Sequence, residues 1–217
     1  DVNVQCTKYL CDATPEFAVR VTQADIEAER ETSAREAAFE GLPAPHYTDA
    51  MLESTAVYRK IAERLPAYGA WVFHGSAVAV GDRAYLFTAK SGTGKSTHTA
   101  LWRQLLGSRA VMLNDDKPIL RVDAAGTVWA YGTPWDGKHH LSTNAAAPLA
   151  GLAVLQRGAG NSIARAPAAE VWPMLLQQSY RPANPAALRQ TMALLDKLTA
   201  AVPPYRLTCN TDLQAAQ

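Results

Sequence analysis

The run Ala89-Lys90-Ser91-Gly92-Thr93-Gly94-Lys95-Ser96 matches the phosphate-binding pattern G-x-x-x-x-G-K-[ST] at every fixed position except the first, where alanine replaces glycine. Gly92 and Gly94 let backbone amides approach phosphate oxygens with no Cβ in the way. A helix starting here would aim its N-terminal amides and positive dipole end at the same anion. In that chemistry Lys95 reaches the β- and γ-phosphates and Ser96 ligates magnesium, with Ser91, Thr93 and Thr97 completing the loop. The ligands implied are ATP and Mg2+. Ala89 is compatible with the turn if its φ is negative, and Lys90 reads as a solvated charge.

Phosphoryl transfer to a hydroxyl also needs a carboxylate to orient the metal and a base to receive the proton. Asp115 and Asp116 can provide both. They follow the apolar run Ala110-Val-Met-Leu113, which places them where an adjacent parallel strand would end, beside the phosphate loop. Two other readings stand beside this: a plain polar turn, Asn114-Asp-Asp-Lys-Pro118, and a turn in which one aspartate binds metal while its neighbour merely caps it. His74, read within a strand, would by itself be a hydrogen-bonded core residue.

Three further residues are candidates for substrate binding. Trp135 and Lys138 belong to Gly132-Thr-Pro-Trp-Asp-Gly-Lys-His-His140, a loop that can set an aromatic face against a ring and aim a cation at an anion. Arg181, like Arg157, can offer a guanidinium to the transferring group or be an ordinary surface arginine. His98, just past Thr97, either touches the nucleotide or packs. Trp102 and Trp172 fall in helical patterns and are expected in the core.

The elements that must position these groups are legible around them. Strands are expected over Trp71–Val80 and Ala84–Thr88, joined at Gly81-Asp82 as a hairpin, with the second running straight into the loop and a helix over Thr99–Leu106. Further strands are expected at Ala110–Leu113, Pro118–Val122, Thr127–Tyr131, Gly151–Gln156 and Tyr205–Thr208, with helices at Ala168–Gln178 and Pro185–Leu198. Upstream, Phe17–Thr22 reads as a strand. Thr22-Gln-Ala-Asp25 then has capping-box spacing before an acidic helix over Ile26–Glu40, which Gly41-Leu-Pro-Ala-Pro45 ends. Thr48 caps a second helix whose apolar stripe is Met51, Val57, Tyr58, Ile61 and Leu65, ending at Pro66 and Gly69. The fold class is α/β, a mixed sheet flanked by helices. It reads as one domain over 1–217, with an N-terminal strand and helical subregion (1–70) and a phosphate-loop core (71–217).

Phe73-His74-Gly75-Ser76-Ala77, then Ser91 to Thr97, then Leu113-Asn114-Asp115-Asp116 is similar in order and spacing to the HPr kinase and phosphoenolpyruvate carboxykinase superfamily. His74-Gly75 looks like the histidine-glycine before the phosphate loop of HPr kinases, and His74-x-Ser76-Ala77 like the corresponding carboxykinase stretch. The resemblance covers residues 71–118. It implies that Lys95 and Ser96 handle phosphates and magnesium and that the aspartate pair supplies a catalytic base and a metal-side carboxylate, with His74 next to them. Asp115 is assigned as base and Asp116 as the metal side, although adjacent carboxylates facing one cation titrate as a pair whose order alone does not separate their roles. The chain lacks a recognisable carboxykinase N-terminal half, so decarboxylation is not expected, and neither the N-terminal domain nor the C-terminal helix of an HPr kinase is recognisable. It looks like a stand-alone HPr kinase-like relative acting on a hydroxyl of a metabolite or peptide.

Composition narrows the alternatives. A formal charge of +1 with scattered basic residues argues against nucleic acid as partner, since counterion release needs clustered cations. No apolar run reaches the roughly 18 residues of a membrane span, and the first residues lack the pattern of a signal peptide, so a cytoplasmic enzyme is expected. Cys6, Cys11 and Cys209 are odd in number and form no CxxC pair, which suggests neither a disulfide framework nor structural zinc. The competing function is an ATPase or nucleotide-dependent switch without a phosphorylated acceptor; no [NT]KxD guanine-reading pattern occurs. Loss of catalysis on a retained fold is disfavoured by the intact Lys95, Ser96, Asp115 and Asp116.

Overall fold

A computed structural model describes residues 2–39 and 41–217, which divide into two units, Asp1–Arg64 and Leu65–Gln217. In the first, α1 (Val2–Cys6) precedes two longer helices, α2 (Gln23–Phe39) and α3 (Asp49–Arg64). Both long helices start at the expected caps. The Thr22 amide donates to Asp25 Oδ2 (2.8 Å) and the Asp25 amide to Thr22 Oγ1 (3.4 Å), which satisfies two amides reciprocally. The Met51 amide donates to Thr48 Oγ1 (3.3 Å). Gly41, at φ 71°, lets the Leu42 amide reach the Ala37 carbonyl (2.8 Å) past the end of α2. Glu40, the expected last residue of that helix, lies outside the described residues.

Charge rather than an apolar stripe joins α2 to α3. Arg59 forks onto the buried Glu29 carboxylate at 2.5 and 2.9 Å, and Lys60 Nζ reaches Asp25 Oδ2 at 2.6 Å. Phe17–Thr22 is not a strand. Its carbonyls are taken by side chains of α3, Ala18 by Arg64 and Arg20 by Lys60, so no sheet partner is needed. The buried stripe of α3 is rotated from the expected one. Leu52 and Ala56 are buried, Val57, Tyr58 and Ile61 are half-buried, and Met51 is 53% exposed.

The second unit contains β1 (Ala70–Val72), β2 (Ser76–Val80), β3 (Arg83–Thr88), α4 (Lys95–Leu106), β4 (Ala110–Asn114), β5 (Ile119–Val122), β6 (Val128–Tyr131), β7 (Ala146–Arg157), β8 (Ser162–Arg165), α5 (Ala168–Gln178), α6 (Pro185–Ala201) and β9 (Pro204–Cys209). The strand order is β1-β5-β6-β7-β3-β2-β4, with β9 beside β7 and β8 beside β9. The twelve-residue β7 begins antiparallel to β6 and continues parallel to both β3 and β9. Period-two alternation buries both faces of the central strands. Leu86, Leu152 and Val154 pack with Leu175, Leu195 and Leu198 of α5 and α6, whereas Phe87, Ala153 and Leu155 pack on the other side with Leu101, Trp102 and Leu106 of α4.

Two features of the sheet depart from the sequence reading and both shape the site. The single strand expected over Trp71–Val80 is broken at residues 73–75. β1 pairs with β5, β2 forms the expected hairpin with β3 across Gly81-Asp82, and His74 sits in the break. β4 runs in the same direction as β3 but is not its neighbour, because the antiparallel β2 lies between them. The ends of β3 and β4 still fall at the same sheet edge.

Gly132, just after β6, fixes the approach of the next loop. A Cβ there would lie 1.9 Å from the Thr143 carbonyl oxygen and 2.6 Å from that of Leu113, both main-chain atoms. Gly132→Ala is therefore expected to destabilise the fold by about 3 kcal/mol, measured by urea unfolding, because backbone cannot give way as a side-chain tip can. Among the described residues no helix is long and apolar enough to cross a membrane. Cys6, Cys11 and Cys209 are free.

Candidate functional site

The loop leaving β3 takes a conformation that depends on its glycines. Gly92 and Gly94 have φ of 75° and 119°, where an L side chain is strained, and Gly94 is the N-cap of α4. Nothing lies within 4 Å of where a Cβ on Gly92 would stand, so the space beside that residue is open. Ala89 is buried and is not among the positive-φ residues; His140 is the only such non-glycine among those described. The glycine missing from the first motif position is thus not needed for backbone reasons. Lys95, 8% exposed, folds back so that Nζ donates to the Ala89 carbonyl at 3.4 Å. Burial depresses its pKa, with Lys117 acting in the same direction and Asp116 and Asp115 opposing.

The end of β4 brings both aspartates to this lysine. Asn114, fully buried, shapes their turn: its Oδ1 accepts from the amides of Asp116 (2.8 Å) and Lys117 (2.6 Å), and its Nδ2 donates to the Thr133 carbonyl (3.0 Å). The two carboxylates have different surroundings. Asp115 is 6% exposed and its Oδ1 accepts from Ser76 Oγ at 2.8 Å. Asp116 is 31% exposed, with Oδ1 at 3.2 Å from Lys117 Nζ and 3.4 Å from His74 Nε2. The break between β1 and β2 supplies the histidine. Its amide donates to the Gln178 carbonyl (2.7 Å), its own carbonyl accepts from Thr88 Oγ1 (3.1 Å), and the Gly75 amide donates to the Asp116 carbonyl (3.0 Å).

Burial, then the neighbouring cations Lys117 and Lys95, lower the His74 pKa to about 4 against the pull of Asp116, so the ring is neutral at pH 7. His98 also falls to about 4, by burial alone. It packs edge-on against Phe87 at 4.7 Å between centroids and is buried, with no hydrogen-bond partner on Nδ1. Both rings hold fewer protons folded than unfolded between pH 6.5 and about 4, so stability should fall as pH drops through that window. Urea unfolding at about pH 7, 6 and 5 should show this decline, and His98→Leu should remove about half of it.

Of the substrate candidates, the loop around Trp135 and Lys138 reaches the cluster. Thr133 Oγ1 donates to the Lys117 carbonyl (2.8 Å), and a Cβ on Gly137 would stand 3.0 Å from that of Asp116. Trp135 is half-buried and Lys138 exposed. Arg181 is exposed and follows the segment 178–180 that pairs with 72–74. Arg157 donates to the Gly92 and Thr93 carbonyls of the loop that leaves β3. Trp102 is half-buried against Tyr85 and Phe87, and Trp172 donates from Nε1 to Asp196 Oδ1 (2.9 Å). Sequence reasoning passed over Lys117, although a cation directly after a carboxylate pair was the signal for it. Nothing local marked Gln178, whose place beside His74 comes from the pairing of distant segments.

No family model matches the chain, and none of the curated proteins matches it in sequence. Among solved structures, the Hpr(Ser) kinase/phosphatase from Coxiella burnetii aligns over 66% of this chain and 88% of that chain, with a TM-score of 0.38 and 7% sequence identity.

Proposed function

We propose that the chain is a phosphotransferase that binds ATP and magnesium on the loop 89–97 and phosphorylates a hydroxyl of a small molecule or peptide. The observation that carries this is the convergence of Lys95, the adjacent pair Asp115 and Asp116, and His74 from three separate chain segments on one sheet edge, beside the glycine loop.

The residues present fit the ligand. The left-handed glycines leave room for phosphate oxygens, the first turn of α4 offers amides not used within the helix, and Lys95 is a buried cation held ready at the base of the loop. Among the described residues no three His, Cys, Asp or Glu side chains gather to hold a metal. Magnesium needs no such group, because it takes one or two carboxylates with phosphate oxygens and water. Ser96 and one aspartate would serve.

ATP supplies the phosphoryl group, and magnesium screens its charge. The protein's part is to neutralise, orient and move one proton. Lys95 offsets charge on the phosphate oxygens. The surroundings of the aspartates favour roles opposite to those expected from the sequence. Asp115, buried and fixed by Ser76, suits the metal side, while the partly exposed Asp116 can meet an acceptor and take its hydroxyl proton. Neutral His74 stands 3.4 Å from the Asp116 carboxylate without adding a charge. Lys117 Nζ steadies the same oxygen at 3.2 Å.

The test is incubation with γ-labelled ATP and magnesium against pools of hydroxyl metabolites and serine peptides. Label in an organic acceptor supports the kinase reading. Label released only as inorganic phosphate, with every acceptor pool present, favours an ATPase or switch.

A further inference from the structure

We infer that Arg157 is a positioning residue that straps the phosphate loop into its nucleotide-receiving shape from outside. Arg157 is the last residue of β7, the strand parallel to β3, so the sheet carries it to the side of the loop that β3 feeds. Its Nε donates to the Thr93 carbonyl at 3.1 Å and its Nη2 to the Gly92 carbonyl at 2.5 Å, one edge of the guanidinium spanning two successive peptides. The planar fork suits this task, since a single ammonium cannot hold two carbonyls at a fixed angle.

The consequence follows from peptide geometry. In a trans peptide the carbonyl and the following N–H point in opposite directions, and no cis bond occurs among the described residues. Holding the Gly92 carbonyl outward turns the Thr93 amide inward, where it donates to the Lys90 carbonyl at 3.2 Å and closes the turn. Holding the Thr93 carbonyl turns the Gly94 amide away from Arg157. Gly92 and Gly94, being glycines at positive φ, have the most freedom to swing these peptides elsewhere, so an external tether acts where the loop is least self-determined. Arg157 is exposed and outside both buried clusters, so its side chain is not needed for the core.

This inference rests on the phosphate-loop reading for its purpose but not for its test. Hydrogen–deuterium exchange of the free protein, comparing wild type with Arg157→Ala and Arg157→Lys, reads the loop directly. Exchange over residues 91–97 should quicken by about tenfold in Arg157→Ala, with the rest of the second unit unchanged and the melting temperature kept. Binding of a non-hydrolysable ATP analogue with magnesium should weaken by about tenfold in Arg157→Ala and be only partly restored in Arg157→Lys. Unchanged loop exchange in Arg157→Ala overturns the strap. Full restoration of both loop protection and binding by lysine also overturns it, since that would make the contribution one of charge. If wild type itself binds no analogue, the phosphate-loop reading fails, and the exchange comparison still decides the role of Arg157.

Discussion

Lys95→Met should lower phosphoryl transfer by about a hundred- to a thousandfold and weaken binding of the ATP analogue by about tenfold, the scale expected when a fixed charge facing the reacting group is removed from a water-poor site. Methionine is the informative replacement because Lys95 is 8% exposed, and alanine would leave a cavity whose cost confuses stability with function. The linear side chain keeps the packing and deletes the charge. Lys95 also lies among Asp115, Asp116 and Lys117, so its loss leaves two carboxylates with Lys117 as the remaining cation that acts on this cluster. Calorimetric titration and labelled-ATP assays on the same preparation separate the two effects. Equal affinity and equal turnover in the variant would remove Lys95 from the phosphate site.

Asparagine substitutions at the two aspartates should produce different defects. Asp116→Asn should cut transfer by about a thousandfold or more with analogue binding within about threefold of wild type, the pattern of a group that acts in the transition state. Asp115→Asn should instead raise the magnesium concentration needed for half-maximal rate. The asparagine carbonyl can still accept from Ser76 Oγ, so the local hydrogen bond survives while the metal-side charge does not. If Asp115→Asn abolished transfer at saturating magnesium and Asp116→Asn merely shifted the magnesium requirement, Asp115 would be the base and Asp116 the metal-side carboxylate, as expected from the sequence.

What could be read from the sequence was local chemistry. The caps at Thr22 and Thr48, the Gly81-Asp82 hairpin and the helix that follows the glycine loop each depend on a few neighbouring residues, and each occurs as expected except that the helix starts at Lys95 rather than Thr99. The break at 73–75 could not be read, because Trp71 to Val80 is continuously apolar apart from His74, Gly75 and Ser76. What divides it is pairing to β5 on one side and β3 on the other. The place of β4 two strands from the loop is likewise a nonlocal outcome of β2 turning back between them. On α3 the stripe was misplaced partly because alanine carries little weight in a hydrophobic pattern, yet Ala56 and Ala62 bury along with Leu52. The strand β8 escaped notice because all four of its residues are exposed.

The candidate site divides in the same way. The loop, the aspartate pair and His74 were visible as residue types in order, whereas the difference between Asp115 and Asp116 lies in Ser76, Lys117 and the approach of Gly137, which reach them through the fold. Arg157 shows the limit most clearly. As an arginine at a strand end it suggested a phosphoryl contact, but its fork is spent on two main-chain carbonyls of the loop.

The measurement that bears most directly on phosphoryl transfer at this site is a crystal structure of the full chain with a non-hydrolysable ATP analogue and magnesium. The γ-phosphate is expected within hydrogen-bond reach of Lys95 Nζ, with magnesium on Ser96 and the Asp116 carboxylate facing open space beyond it. A nucleotide bound away from residues 89–97, or a γ-phosphate closed off from Asp116 with no room for an acceptor, would contradict it.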